Sequence, residues 1–345
     1  MWAVVKERQD VDFCFKETPI PEPRSDEVLI RVEAVGICGS DIPIFKGIRK
    51  VVYPLIPGHE FAGVIVKTGR DVKKFRVGDK VVPGLVVHCG ECEYCRMGLE
   101  SLCDNIYELG IHVDGAFAEY VVAPEKTLHA LPVGLSFNQG AAIDPIASAF
   151  RPVRKARITS DDDVVIFGPG PIGLYALQIA RAEGARRVAV VGANGDKRRL
   201  ELAGELGADI TIDGSEQDTV AVVRDFTHGR MADVVIEATG AAAVIEPCLA
   251  CVRKAGRLSL AGIFHQPSSF SIGDIVRREI TITGSICYTW LDFQACVDLV
   301  ASGRVRVEPL ITHEFSLREI GQALAIAYRR ESIKIMLHPN PENRD

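Results

Sequence analysis

The chain has no apolar run near the roughly 18 residues that a membrane-spanning helix requires, so no membrane association is expected. Its start, MWAVVKERQD, lacks the basic end and apolar core of a secretory signal. A cytoplasmic, reducing compartment is therefore expected, and disulfides are not. Positive charge is also in short supply. The 40 Lys and Arg stand against 46 Asp and Glu, for a net charge of −6, and no basic stripe forms that would neutralise phosphates. That argues against a nucleic-acid partner and favours small ligands. Aromatic residues make up only 7% of the chain, which gives no support for a bulky aromatic substrate. Internal repeats and low-complexity segments are absent, and only the tail NPENRD reads as frayed.

What the chain does have is length and cysteine. Its 345 residues exceed the roughly 250 to 300 at which a single core stops growing, so two domains are expected. The first part reads as short strands between glycine and proline turns: EVLIRVEAVGI, FAGVIVKTG, GDKVVPG and AFAEYVVAP. This is a β-rich lobe. From about Asp163 apolar strands alternate with helical segments: VVIFG, PIGLYALQIARAEG, VAVVG, KRRLELAGELG, ADITI, ADVVIEATG, a helical stretch to Arg253, and GRLSLAG. Such alternation implies α/β structure, a doubly wound parallel sheet covered on both faces, with ITITGS as a sixth strand. The last segment, from LDFQACVDLVASG, reads as a return to the first lobe, and the spacing of Ser316 and Glu319 predicts a capping box at a helix start. The expected division is 1–152, 153–285 and 286–345.

Five of the ten cysteines, Cys14, Cys248, Cys251, Cys287 and Cys296, lie in apolar sequence and are assigned no function. Cys38 stands alone in a glycine-rich turn. The other four form CGECEYCRMGLESLC, in a lobe over about 88–104, with the spacing C-x2-C-x2-C-x7-C. Cys89, Cys92, Cys95 and Cys103 are close enough to surround one tetrahedral ion, leaving no position for substrate. Zinc is the natural occupant, although an iron–sulfur centre also uses four cysteines. The string establishes a metal without establishing a reaction, since a zinc-ribbon binding module would share it.

Gly168-Pro-Gly170-Pro171-Ile172-Gly173 follows a strand and opens a helix, which is the context that gives G-x-G-x-x-G its meaning. Gly168 permits the tight turn, Gly170 lets backbone approach a pyrophosphate, and Gly173 allows close packing of helix and strand. The second strand, RRVAVVGAN, ends without the acidic residue that grips a ribose 2′-hydroxyl; Gly192, Ala193 and Asn194 stand there. Asp196 follows too late to replace it. Arg198 and Arg199 either reach a 2′-phosphate or form a solvated helix face, so NAD and NADP both stay open.

Two further turns, Gly36-Ile-Cys38-Gly-Ser40-Asp41 and Gly58-His59-Glu60, follow apolar strands and present metal-ligand side chains. Taken in order with the cysteine lobe and the glycine turn, they resemble the zinc-dependent medium-chain dehydrogenases over nearly the whole chain. Gly115-Ala-Phe117-Ala-Glu119-Tyr120 resembles that family's segment beside the substrate cleft. The resemblance implies a GroES-like catalytic domain joined to a Rossmann domain, and two zinc ions per chain. It makes Cys38 and His59 catalytic-zinc ligands, Ser40 the first hydroxyl of a proton relay, and Glu60 a neighbour able to approach the ion. The four-cysteine lobe becomes the structural zinc site. In the sorbitol and threonine dehydrogenase-like branch an E-P segment lies at or near the zinc, and Asp144-Pro145 takes its place here. Asp144 is thus expected as third ligand, the alternative being that it caps the following helix. Two departures stand out: Pro43 occupies a position where many relatives carry a relay histidine, and Gly284 to Tyr288 lacks an arginine that polyol-type members tend to carry.

The implied activity is hydride transfer between a secondary alcohol, of polyol, sugar or amino-alcohol type, and NAD(P). The resemblance also implies a homodimer or homotetramer. A carbonyl reductase is the same chemistry reversed. A nonenzymatic zinc- and dinucleotide-binding regulator is the alternative of another class, and it leaves Cys38, His59 and Asp144 without a common purpose.

Overall fold

The structure, a computed structural model, describes residues 1–340; residues 341–345, most of the tail expected to fray, lie outside them. The chain forms two compact units. One comprises Met1–Asp144, Thr289–Ser302 and the chain from Val307, and the other comprises Pro145–Tyr288 and Gly303–Arg306. Thr289–Ser302 and the chain from Val307 thus return to the first unit, while Gly303–Arg306 stay with the second. The first boundary falls after Asp144, at the start of the helix Ile143–Ala156, rather than at 152 near its end. The reason is local: the end of that helix is tied to the second unit, with Ser259 Oγ donating to the Pro152 carbonyl at 2.9 Å and Arg257 donating to the Ala156 carbonyl at 2.8 Å.

The second unit is built on six parallel strands. Their spatial order is Ile210–Asp213, Arg187–Gly192, Asp163–Phe167, Ala232–Glu237, Val252–Leu260, Thr281–Gly284. The first of these in sequence, Asp163–Phe167, is buried at every position, as a parallel strand covered on both faces must be. Its two neighbours were reached by chain running in opposite directions across the sheet, so its carboxyl end is the topological switch point where this architecture leaves a crevice. The helix Pro171–Ala182 starts there, with Pro171 in its first turn and Gly173 to Ala180 buried. The expected helix to Arg253 ends earlier, at Cys251, because buried Val252 already pairs with Ala232 and starts a strand. The helix Ile272–Arg278 and the hairpin of Trp2–Val5 with Cys14–Glu17 went unforeseen; each is too short to show a periodicity.

The first unit is organised by one long strand, Glu27–Gly36, whose ten residues are almost all buried. It pairs antiparallel with Glu60–Thr68 on one side and with Lys334–His338 on the other, while Tyr120–Pro124 joins it along its start. Val28, Ile30, Val32, Phe61, Ile65, Phe117 and Leu337 form the core beneath. The register sets Gly36 opposite both Glu60 and Met336. The residues just beyond these pairs, Ile37 onward and His59, are therefore delivered to one end of the sheet. The capping box of Ser316 and Glu319 is present, on a 3-10 turn, Leu317–Glu319, that leads into the helix Ile320–Tyr328.

One ion cluster anchors the parallel sheet. Asp163 is 0% exposed and accepts four hydrogen bonds, from Nε and a terminal nitrogen of Arg186 at 2.9 and 2.6 Å and from the same groups of Arg187 at 2.9 and 2.7 Å. Burial opposes its charge, but the two guanidinium groups prevail and hold its carboxyl down to about 2, from the ordinary 3.8. A depressed pKa contributes stability above the unfolded-state value and loses it as pH falls from about 4 to about 2. Asp163→Asn is therefore expected to lower stability by roughly 2 to 4 kcal/mol at pH 7, with the deficit shrinking as pH is lowered through that window. Denaturant unfolding of both proteins at several pH values measures it; a deficit independent of pH contradicts the assignment.

Candidate functional site

The four cysteines of the lobe are carried by short elements, a helix Glu93–Arg96 and a 3-10 turn Glu100–Leu102, joined through Gly90 and Gly98 in left-handed conformation. Their sulfur atoms all lie within 4.8 Å of one another, with Cys89 3.5 Å from Cys103 and 3.9 Å from Cys95. Four thiolates bonded at about 2.3 Å to one tetrahedral zinc sit roughly 3.8 Å apart, so the spacing suits that ion and is far too long for disulfides. Backbone N–H groups of Cys89, Cys92 and Asn105 donate to the sulfurs of Cys103, Cys89 and Cys103. Backbone donors, those of Glu91 and Cys92 first, bring the Cys89 thiol down to about 6, whereas burial raises Cys95 to about 12. A loop that lowers one thiol and crowds another suits a cation at its centre. The remaining cysteines divide: Cys248, Cys251 and Cys296 are buried and burial raises their thiols, while Cys14 is exposed, contrary to its apolar sequence context, because it sits on an edge hairpin.

A second donor cluster arises where the register of the long strand delivers it. Donor atoms of Cys38, His59 and Glu60 lie within 4.8 Å of one another. Cys38 comes from the loop after Glu27–Gly36, and Glu60 opens the strand that pairs with it. Gly58, with φ of 92°, makes the turn before them; a Cβ there would lie 2.4 Å from the Phe117 ring. The Ser40 hydroxyl is 3.5 Å from Nε2 of His59. The structure thus brings Cys38, Ser40, His59 and Glu60 together. Asp144 is not one of the three clustered donors. It is buried in the first turn of Ile143–Ala156, past the helix start and hence not its cap, and its charge acts on His59 from there.

Two residues around this cluster were missed. Asp41 is fully buried; one carboxylate oxygen accepts from the Cys38 backbone N–H at 2.9 Å, and the other faces Nδ1 of His59 at 3.7 Å. Burial works against a charged His59 ring, but Asp41 and the Cys38 sulfur outweigh it and raise His59 to about 10. At 3.7 Å the two atoms make no hydrogen bond, and the carboxylate acts on the ring through its charge. The signal was present in the sequence, since Asp41 belongs to the same turn. Lys334 is 2% exposed, donates to the Ile37 carbonyl at 3.0 Å and pairs with the Glu60 carboxylate. Gly36 makes room for this pair: a Cβ there would stand 2.4 Å from Glu60 Oε2 and 2.8 Å from Lys334 Cε. Nothing in the local sequence marks Lys334, because a lysine at a strand start 274 residues away from its partner is indistinguishable from a surface residue.

The glycine turn in the second unit has the geometry its pattern implies. Gly168 adopts φ of 100° and donates to the Val191 carbonyl at 2.8 Å. A Cβ on Gly168 would meet the Thr239 methyl at 2.6 Å, and one on Gly173 would lie 1.8 Å from the Gly168 carbonyl oxygen. A Cβ on Gly170 would meet nothing within 4 Å, so that backbone is open to an incoming group. Pro171 and Ile172 form the half-buried start of the helix, an end whose free N–H groups suit an anion. Asn194 and Arg198 are exposed and Arg199 is partly buried.

Comparison with known proteins agrees with this geometry. Residues 24–133 match the alcohol dehydrogenase GroES-like domain, and residues 171–302 match the zinc-binding dehydrogenase domain. A sorbitol dehydrogenase from Halalkalibacterium halodurans is 37% identical, over 98% of this chain and 99% of that protein. The chain belongs to the zinc-dependent medium-chain dehydrogenases. Another relative in this family, a D-arabitol-phosphate dehydrogenase from Enterococcus avium, is 36% identical over 99% of this chain and 98% of its own length. Among solved structures, the alcohol dehydrogenase TADH from Thermus sp. ATN1 superposes with a TM-score of 0.92 at 31% identity, covering 98% of this chain and 99% of that one. Among the described residues, no helix is long and apolar enough to cross a membrane.

Proposed function

We propose that the protein is a zinc- and NAD(P)-dependent oxidoreductase that interconverts a secondary alcohol of the polyol, sugar or sugar-phosphate type with its ketone. The single observation that carries the reading is the convergence of Cys38, His59 and Glu60, with Ser40 beside them, in a chain that also holds an open glycine turn for a dinucleotide. The polyol class is supported by the curated relatives and by the low aromatic content.

The residues suit the two cofactors. A thiol, an imidazole and a carboxylate are the mixed donors of a catalytic zinc with a fourth position left for substrate, and four cysteines are those of a closed structural one. When bound, zinc polarises a substrate hydroxyl as a Lewis acid and NAD(P) takes up hydride. Cys38, His59 and Glu60 would hold the metal; Asp144 is a second carboxylate acting on His59 and an additional candidate donor. Asp41 lies beside the His59 ring and acts on it through charge. Lys334 fixes Glu60 at the sheet end and lowers the net negative charge of the cluster. Ser40 accepts the proton leaving the substrate hydroxyl and passes it outward through water, since Pro43 offers no titratable group. Gly168, Gly170 and Gly173 shape the turn that receives the dinucleotide pyrophosphate.

A screen of polyols, sugar alcohols and their phosphates with NAD and with NADP, read as absorbance of reduced nicotinamide, tests this function. Turnover of at least one such alcohol is expected; a metal-loaded protein that turns over none of them, nor the corresponding ketones in reverse, contradicts it. Ten reduced cysteines suit a soluble protein of the cytoplasm. Self-association is part of the same reading. Thr281–Gly284 ends its sheet, and Ile272 and Val276 nearby in the chain are 69% and 70% exposed. An uncovered strand edge beside apolar side chains favours a second copy. Sedimentation equilibrium is expected to give a dimer or tetramer, and the Val276→Glu variant a lower mass; a monomer at micromolar concentration contradicts this.

A further inference from the structure

We propose that this enzyme takes NADP in preference to NAD, with Arg198 and Arg199 receiving the 2′-phosphate. The inference rests on the dinucleotide reading above and specifies it. In this fold the ribose next to adenine lies at the end of the second strand, where a carboxylate pairs with the 2′- and 3′-hydroxyls of NAD. Here that strand is Arg187–Gly192, tied to the glycine turn through Gly168 and Val191. Its end offers no such carboxylate. Gly192 has no side chain, and even a Cβ there would come within 3.1 Å of Asp196 Cβ and of Leu200. Ala193 and Asn194 follow, both exposed and both uncharged.

The two acids in the neighbourhood are committed elsewhere. Asp196 turns back on its own loop: one oxygen accepts from the Ala193 N–H at 3.2 Å and the other from Arg199 at 3.1 Å. Asp213, which lies opposite Gly192 in the sheet, accepts from the Ser215 N–H at 2.9 Å and from its hydroxyl at 2.5 Å. Three successive cations, Lys197, Arg198 and Arg199, instead fill the start of the helix Lys197–Glu205, whose first turn carries no acid. Cations at that end run against the helix dipole, and although Arg199 pairs with Asp196, helix stability gives no reason for Lys197 and Arg198. A dianionic phosphate does. The Asp196 carboxylate orients the Arg199 fork, Arg198 extends from the exposed face, and the neutral Asn194 amide neither repels a phosphate nor replaces the missing carboxylate.

The test is calorimetric binding to the full-length zinc-loaded protein. NADP and NAD are titrated in parallel, with adenosine 2′,5′-bisphosphate and adenosine 5′-monophosphate as the matching fragments. NADP is expected to bind at least about tenfold more tightly than NAD, and the bisphosphate more tightly than the monophosphate, as one or two charge-assisted hydrogen bonds supply. Arg198→Gln combined with Arg199→Gln is expected to remove that difference, with circular dichroism showing that the variant is folded. NADP binding is expected to weaken with salt more steeply than NAD binding. Equal or tighter binding of NAD overturns the proposal and leaves the dinucleotide site standing; failure of both dinucleotides to bind overturns the two together.

Discussion

Replacing Cys38 with alanine is expected to lower kcat/KM for the alcohol by at least about a thousandfold, some 4 kcal/mol of transition-state stabilisation, while leaving the fold intact. The size follows from what the thiol does in the cluster. Its sulfur is one of three protein donors within 4.8 Å of one another, and losing it leaves one imidazole and a carboxylate that Lys334 already holds. Metal binding by that remainder is too weak to keep a substrate hydroxyl polarised at neutral pH. The fold is spared because Cys38 sits in a loop and is only half-buried, and the strands on either side are paired through their backbones. Steady-state kinetics, with circular dichroism as the control for folding, measures both halves of the expectation. A Cys38→Ala protein that stays within about tenfold of the parent removes the catalytic role from this cluster.

The second large effect belongs to the glycine turn, where two neighbouring glycines are expected to fail in different ways. Gly173→Ala places a Cβ 1.8 Å from the Gly168 carbonyl oxygen, with backbone rather than a flexible side chain as the obstacle. The helix must move away from the strand. Stability is expected to fall by about 1 to 3 kcal/mol, and dinucleotide affinity by at least tenfold because the turn that receives the pyrophosphate is distorted. Gly170→Ala meets nothing within 4 Å, so its stability is expected to stay unchanged while affinity still falls, the new methyl standing where the pyrophosphate approaches. Thermal unfolding and calorimetric titration of the two variants separate the effects. Equal stability losses, or undiminished binding in both, contradict the assigned roles.

Much of this architecture was legible in the chain because it depends on short-range patterns. The helix Pro171–Ala182 and its glycine turn announce themselves through composition and spacing, and the four-cysteine string contains its whole site within one loop. Cys38, Ser40, His59 and Glu60 were legible as turns, but their meeting depends on the pairing of Glu27–Gly36 with Glu60–Thr68, which the strands' texture does not number. The contacts of Lys334 were out of reach altogether: they require knowing that Lys334–His338 returns to lie against Glu27–Gly36. Asp144 shows the opposite limit. Its sequence context, before a proline and ahead of a helix, fits both a ligand and a cap, and the helix in fact begins before it, at Ile143. Unit boundaries shifted for a related reason, since a helix carries no mark of which sheet its far end will bond to.

The central claim is that one chain holds two zinc ions of different kinds, one in a closed four-cysteine lobe and one at Cys38, His59 and Glu60. Elemental zinc analysis of the purified protein and of a Cys38→Ala, His59→Ala double variant tests it most directly. The expected result is two ions per chain in the parent and one in the variant, with turnover lost together with the second ion. A single ion in the parent that persists in the variant, with turnover unchanged, contradicts the account.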